Sequence, residues 1–466
     1  MTSKYALPIV VAGSIVLAGC FDGSSSSSDP APVTTQVRVI HGVSDAPAVN
    51  VGIDGDIAIA GADFKQAAIL DPAVGSYSVT VDGLLPGGAT TTVIGPADLT
   101  FEEGIRYDVI ASGSVGAGTV APIVLADDGE RTDPDSVRLR VVHLSPDADQ
   151  AASGPVDVYL TLAADGNALP AEPSFTFSFG EDVGPLEVGA DTYRVRVTPE
   201  NSDTVVYDSG EVPLPSGADL LIGAVDNTGA NRTHMDASPV SLIVANGADV
   251  TELFDVEQQA GVRAVHNSAD APNVDVLVDN SVAFANLAFP DVVPGASLDA
   301  YAKVPAGTRN VKVTPAGNNS DVRIEADLDL VNAQGYTVVA LNLLADIEAL
   351  VLEDSVRSIA TQATVRVVHG STLAGPVNVY LLPEGETNVN VAQPVLTDVP
   401  FKANSGYLAV TPGIYNLVVT DDSGNAAIGP AEVNLQVGGI YTAIARDTQA
   451  LDGADLILLD DFVLGN

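Results

Sequence analysis

One short pattern recurs four times along this chain, and its spacing constrains the fold more than any other feature. VRVIHGVSDAP begins at Val37, LRVVHLSPDAD at Leu139, VRAVHNSADAP at Val262 and VRVVHGSTLAG at Val365. His41, His143, His266 and His369 occupy the same place in each copy, 102, 123 and 103 residues apart. A period of that length makes each copy domain-sized, far longer than a solenoid repeat. A second anchor lies nine residues beyond the histidine in three copies, as Asn50, Asp275 and Asn378. In the second copy it is Asp157, fourteen residues on, after an insertion around Asp149 to Ser153.

The later parts of the copies agree as well. A Gly or Pro turn leads into alternating residues in VGSYSVTVDG, GADTYRVRVTPE, AGTRNVKVTPAG and PGIYNLVVTDDSG, and each copy closes on a further apolar run such as APIVLADD or ADLILLDDF. Short runs with period-two alternation, bounded by Gly, Pro, Asn and Asp, read as strands, and no segment carries a long amphipathic helix. The predicted fold class is therefore all-β: four tandem immunoglobulin-like antiparallel β-sandwich domains of about seven strands each. Their expected spans are 37–128, 137–247, 262–353 and 365–462. Polar or acidic stretches at Asp127 to Ser136, Ala248 to Ala260 and Asp354 to Thr364 divide them and are short enough to keep neighbours close.

The N-terminus predicts export. Residues 1–19 hold Lys4, an apolar run from Tyr5 to Leu17, and the small residues Ala18 and Gly19 before Cys20, the one cysteine of the chain. Leu17-Ala18-Gly19-Cys20 looks like a bacterial lipobox, which makes Cys20 the expected lipid attachment site and the membrane a partner through its acyl chains. Residues 20–36, with five consecutive serines, read as a flexible tether. Phe21 stands where an Asp favours inner-membrane retention, so the expected location is the cell envelope, at the outer membrane, periplasmic or surface-exposed.

Charge narrows the partners. Against 61 Asp and Glu stand 19 Lys and Arg, a formal net charge of −42, which repels nucleic acid phosphates. The acids are spread evenly over the copies, so they read as a solvated, mutually repelling surface that keeps a row of sandwiches extended as a stalk. A disulfide framework is excluded by the single cysteine.

Taken together, Val-Arg-Val-(Val/Ile)-His, then Ser-x-Asp-Ala-Pro, then Val-(Asp/Asn)-Val resembles the DUF4397 family of secreted bacterial β-sandwich domains. The first and third copies match closely. In the second, Ala148-Asp149 replaces Ala-Pro; in the fourth, Ser371-Thr372-Leu373-Ala374-Gly375-Pro376 lacks the Asp. The resemblance implies an envelope or extracellular domain, frequent in lipoproteins, and brings no catalytic residues.

The recurrent polar residues have competing readings. In a strand V-R-V-I-H, Val37, Val39 and His41 share one face, so each histidine is expected to bond groups of the following loop; a general base or metal ligand would need companions that do not recur with it. Arg38, Arg140, Arg263 and Arg366 precede the histidines by three residues. Either they pair with Asn50, Asp157, Asp275 and Asn378 on a neighbouring strand, or they are solvated edge charges. Asp45 and Asp270 read as turn-closing side chains more readily than as calcium ligands. No G-x-S-x-G elbow, P-loop, dinucleotide fingerprint or H-E-x-x-H occurs. The expectation is a non-enzymatic, lipid-anchored envelope protein without cofactor or metal, with a structural, adhesive or ligand-presenting role toward an unidentified protein or carbohydrate. A calcium- or carbohydrate-binding array, and a hydrolase housed in the second copy, are the alternatives.

Overall fold

The computed structural model describes residues 32–152, 154–234 and 237–462. The expected leader, Cys20 and the Ser-rich part of the tether lie outside them. Within the first repeat the alternating sequence forms β1 (Val37–His41), β2 (Val49–Ile53), β3 (Asp56–Ala62), β4 (Ala67–Leu70), β5 (Gly75–Leu84), β6 (Thr90–Phe101), β7 (Arg106–Ser112) and β8 (Ala121–Asp127). They make two four-stranded sheets, β4-β1-β7-β8 and β3-β2-β5-β6. Val49, Val51, Val79 and Val81 of one sheet pack against Val39 and Ala111 of the other, as alternate residues must when one face of each strand turns inward.

The same strand order returns in the later repeats, whose counterparts of β1 are Val137–His143, Ala260–Asn267 and Ala363–His369. The first and fourth repeats bring eight strands each, the third nine and the second ten, where about seven were expected. The sheets are also not purely antiparallel. β1 and β7 run parallel, from Val37 opposite Tyr107 to His41 opposite Ala111, and the corresponding ladder is parallel in the other repeats. The cause is the crossing from β6 to β7, which carries the chain from one sheet to the other. Parallel neighbours need a long crossover, and the intervening sheet supplies it.

The second repeat departs in three ways. A short helix α1 (Pro146–Ala152) occupies the insertion after its first strand. The counterpart of β6 shrinks to two fragments, Tyr207–Asp208 and Val212–Pro213. An additional strand, Asp249–Leu253, extends the sheet that holds Val137–His143, and it lies in the stretch read above as a connection.

The extended row expected from charge repulsion is not what forms. Ile40, Ile110, Leu125 and Phe64 of the first repeat share one buried cluster with Val142, Leu144, Leu221 and Ile243 of the second. Val265, Val339, Leu341 and Leu352 of the third do the same with Val368, Ile444, Ile457 and Leu459 of the fourth. The outward face of the β1-type sheet is therefore buried by the next repeat. Surface charges are screened beyond about 8 Å, whereas apolar burial at roughly 25 cal/mol per Å² acts at contact, so the aliphatic faces decide.

Further contacts join the two pairs. Asp299 of the third repeat accepts the backbone N–H groups of Asn231 at 2.6 Å and Thr233 at 3.0 Å, from the second. Arg357, in the connection after Glu348–Asp354, donates to the Ser44 carbonyl at 2.8 Å and the Asp63 carboxylate at 2.7 Å, both in the first repeat.

Candidate functional site

The four histidines end their strands and serve the loops that follow. Nε2 lies 3.2 Å from the Pro47 carbonyl oxygen for His41, 3.0 Å from that of Pro272 for His266, and 3.0 Å from that of Gly375 for His369. On the other side of the ring, Nδ1 accepts a backbone N–H, from Val43, Ser145 and Ser268 for His41, His143 and His266, each at 3.3 Å. A carbonyl at one nitrogen and an N–H at the other are both satisfied only by the neutral tautomer protonated at Nε2. A phenylalanine stands edge-on to each ring: Phe64, Phe177, Phe289 and Phe401, with centroids 6.0 to 6.3 Å away. Burial holds His41 and His266 below the ordinary imidazole pKa. These side chains clip a loop to its strand, with both ring nitrogens of His41 and His266 already engaged.

The second anchors do similar work in the opposite sheet. Asn50 accepts the Gly61 N–H at 2.9 Å, Asn378 that of Asp398 at 3.0 Å, and Asp275 those of Asn286 at 2.7 Å and Gly317 at 2.8 Å. Asp157 takes the Thr176 hydroxyl at 2.5 Å and the Asn201 N–H at 3.0 Å. Pairing with the arginines, one of the two readings from sequence, does not occur. Asn50 belongs to the β2 sheet, and Arg38 points from the β1 sheet away from it, toward the second repeat.

The other reading, solvated edge charges, fails too, because the arginines are buried between repeats. Arg38 pairs with Asp108 on β7 at 2.7 Å and donates to the Ala245 carbonyl of the second repeat at 3.1 Å. Arg140 pairs with Asp182 at 3.0 Å and donates back to the Ala126 carbonyl of the first at 3.3 Å. The exchange is reciprocal, as across a two-fold axis. The second pair is tighter: Arg263 reaches Asp460 of the fourth repeat at 2.9 Å, and Arg366 reaches Asp354 of the third at 2.6 Å. Both arginines are 0% exposed. Tyr301 and Thr337 donate hydroxyls to Asp354 at 2.9 and 2.5 Å, and the guanidinium groups of Arg263 and Arg366 lie 5.0 and 4.6 Å from the ring centroids of Tyr301 and Tyr407. Two cations facing two carboxylates leave this buried group neutral. Sequence reading did not find Asp354 and Asp460; the available signal was their shared position at the end of each closing apolar run.

The loop carboxylates bridge further than a local turn. Asp45 accepts the hydroxyl of Ser114 and the N–H groups of Val115 and Gly116, each at 2.8 Å, tying the loop after β1 to the loop after β7. Asp270 does likewise with Leu344 N–H at 2.7 Å. In the second and fourth repeats the carboxylate comes from the opposite partner: Asp226 accepts from Ser145, and Asp447 from Ser371, both at 2.5 Å. That exchange explains why the fourth copy dispenses with an Asp in its loop. Among the described residues no group of three or more His, Cys, Asp or Glu side chains is placed to hold a metal ion.

A pocket of about 730 Å³ opens between the sheets of the second repeat. Its walls are aliphatic and aromatic, including Leu139, Val158, Phe175, Phe177, Ile222 and Leu242, while Arg194, Asp208, Asp255 and Glu257 stand around it. Arg194 is already paired with Asp208 through Nε at 2.7 Å and through a second contact from Nη2. Burial raises the Asp255 carboxyl above its ordinary pKa, against the N–H bonds from Glu257 and Asp208. The first repeat holds a smaller apolar pocket of about 140 Å³ between its sheets.

These features define a class: a tandem β-sandwich protein whose repeated polar residues hold loops and repeat faces together. Two stretches, 35–152 and 260–380, match the family described as Domain of unknown function (DUF4397), together just over half of the chain. The protein belongs to that family. Each match starts at a repeat whose loop carries the Asp and runs on through the first strand of the next repeat, the strand that packs against it. No curated protein matches the chain.

Proposed function

We propose that this chain is a non-enzymatic, lipid-anchored protein of the cell envelope, built from four immunoglobulin-like sandwich domains spanning 37–128, 137–247, 262–353 and 365–462. The acyl chains on Cys20 retain it at the outer membrane, the Ser-rich tether gives it reach, and the loops at the ends of the sandwiches face an unidentified protein or carbohydrate. The observation that supports a scaffold over a catalyst is the use made of the recurrent side chains. His41, His266, Asp45, Arg263 and Arg366 are all spent on fastening the fold. A paired, reciprocal packing suits a block that presents surfaces better than a flexible string.

The test is fractionation of cells expressing the full chain and Cys20→Ser. The unaltered chain should sediment with outer membranes and label with a fatty-acid analogue. Cys20→Ser should appear in the soluble fraction without label. Continued membrane retention of Cys20→Ser would refute the anchor.

A further inference from the structure

The pocket of the second repeat has a structural cause. In the first repeat β6 runs twelve residues and lays Ile94, Leu99 and Phe101 over the interior, leaving only the small pocket. The second repeat keeps two fragments of two residues at that edge, and the space between its sheets opens there. Val205 and Val256, 40% and 43% exposed, flank the opening and line the pocket at once. Apolar walls facing a void forgo their packing contacts, and a pocket of this volume has the size of small-molecule sites.

The rim is acidic. Asp208 neutralises Arg194 in a forked pair. The Asp255 carboxylate accepts backbone N–H groups, from Asp208 and Glu257 at 2.8 Å each, and neither Asp255 nor Glu257 is ion-paired among the described residues. An apolar body is therefore welcome inside while an anionic head is repelled at the mouth. We propose that the second repeat binds an elongated apolar molecule with a cationic head, its body between the sheets and its head beside Asp255 and Glu257. This site is independent of the anchoring and scaffold reading, and neither falls with the other.

The full chain is titrated with the neutral probe N-phenyl-1-naphthylamine, which brightens in apolar surroundings, and the probe is then displaced by decylamine or by decanoate. One saturable site is expected, with decylamine effective at a concentration about tenfold below decanoate. Asp255→Asn should shrink that preference. Val205→Lys, a change at an exposed position, should reverse it toward decanoate. Ala224→Phe, which places a ring in the pocket, should abolish probe binding, with its unfolding midpoint measured alongside. Absence of saturable binding, equal displacement by amine and carboxylate, or a preference untouched by both Asp255→Asn and Val205→Lys would each overturn the proposal.

Discussion

Asp354 offers the sharpest test of how the third and fourth repeats are held. Its carboxylate takes Arg366 of the neighbouring repeat at 2.6 Å, Tyr301 at 2.9 Å and Thr337 at 2.5 Å, and lies 3.5 Å from Arg263. Replacing it by Leu removes one of two negative charges facing two buried guanidinium groups and strands the Tyr301 hydroxyl. Removing one partner of a buried ion pair costs about 3–5 kcal/mol. For a cooperative block of about 200 residues, each kcal/mol lowers the melting temperature by about 2–4 °C, so the loss should be roughly 6–20 °C. The double variant Asp354→Leu with Arg366→Met leaves Arg263 facing Asp460 at 2.9 Å and restores neutrality. It should be less destabilised than the sum of the single variants by about 2 kcal/mol. Calorimetry on the two single variants, the double and the exposed control Asp329→Asn provides the cycle. Additive losses, or an Asp354→Leu shift no larger than that of Asp329→Asn, would refute a coupled buried cluster.

Three other outcomes follow from the same contacts. Because burial lowers the pKa of His41 and His266, the unfolded chain binds protons below about pH 6.5 while the folded one still does not. Their contribution should be complete above that pH and decline as pH falls through the folded values, so the melting temperature should drop as pH falls below about 6.5, and less steeply in His41→Gln/His266→Gln. Leu221→Ala, in the cluster between the first and second repeats, should cost about 2–5 kcal/mol in chemical denaturation, far more than its position on an outward sheet face would suggest. Arg357→Ala should speed amide exchange of residues 42–46 in the first repeat, where its guanidinium binds carbonyls, and leave the core of the fourth repeat protected.

Much of the architecture was legible because strand geometry is local. Alternation in VRVIH and VNVGI assigns Val37, Val39, Val49 and Val51 to the interior with no knowledge of the partner sheet, and the histidine at the strand end meets a loop only a few residues away. The parallel ladder between β1 and β7 was not legible, since strands some seventy residues apart can pair in either direction until the crossing between sheets is known. Nor was the role of the arginines, because Ala245 lies 207 residues from Arg38 and Asp460 lies 197 from Arg263. A sign was present in Ile40, Val142, Val265 and Val368, apolar residues on the nominally outward face, as expected of strands buried on both sides.

The sequence by itself determined the repeated all-β plan, the residues that line each sandwich and the loops the histidines serve, since these depend on a two-residue period and short chain separations. Only the tertiary structure decided that the repeats pair through their outward faces, that the arginines exchange partners across those pairs, and that one repeat keeps an open interior. Such choices depend on the fit of surfaces distant along the chain and on burial that no local pattern specifies.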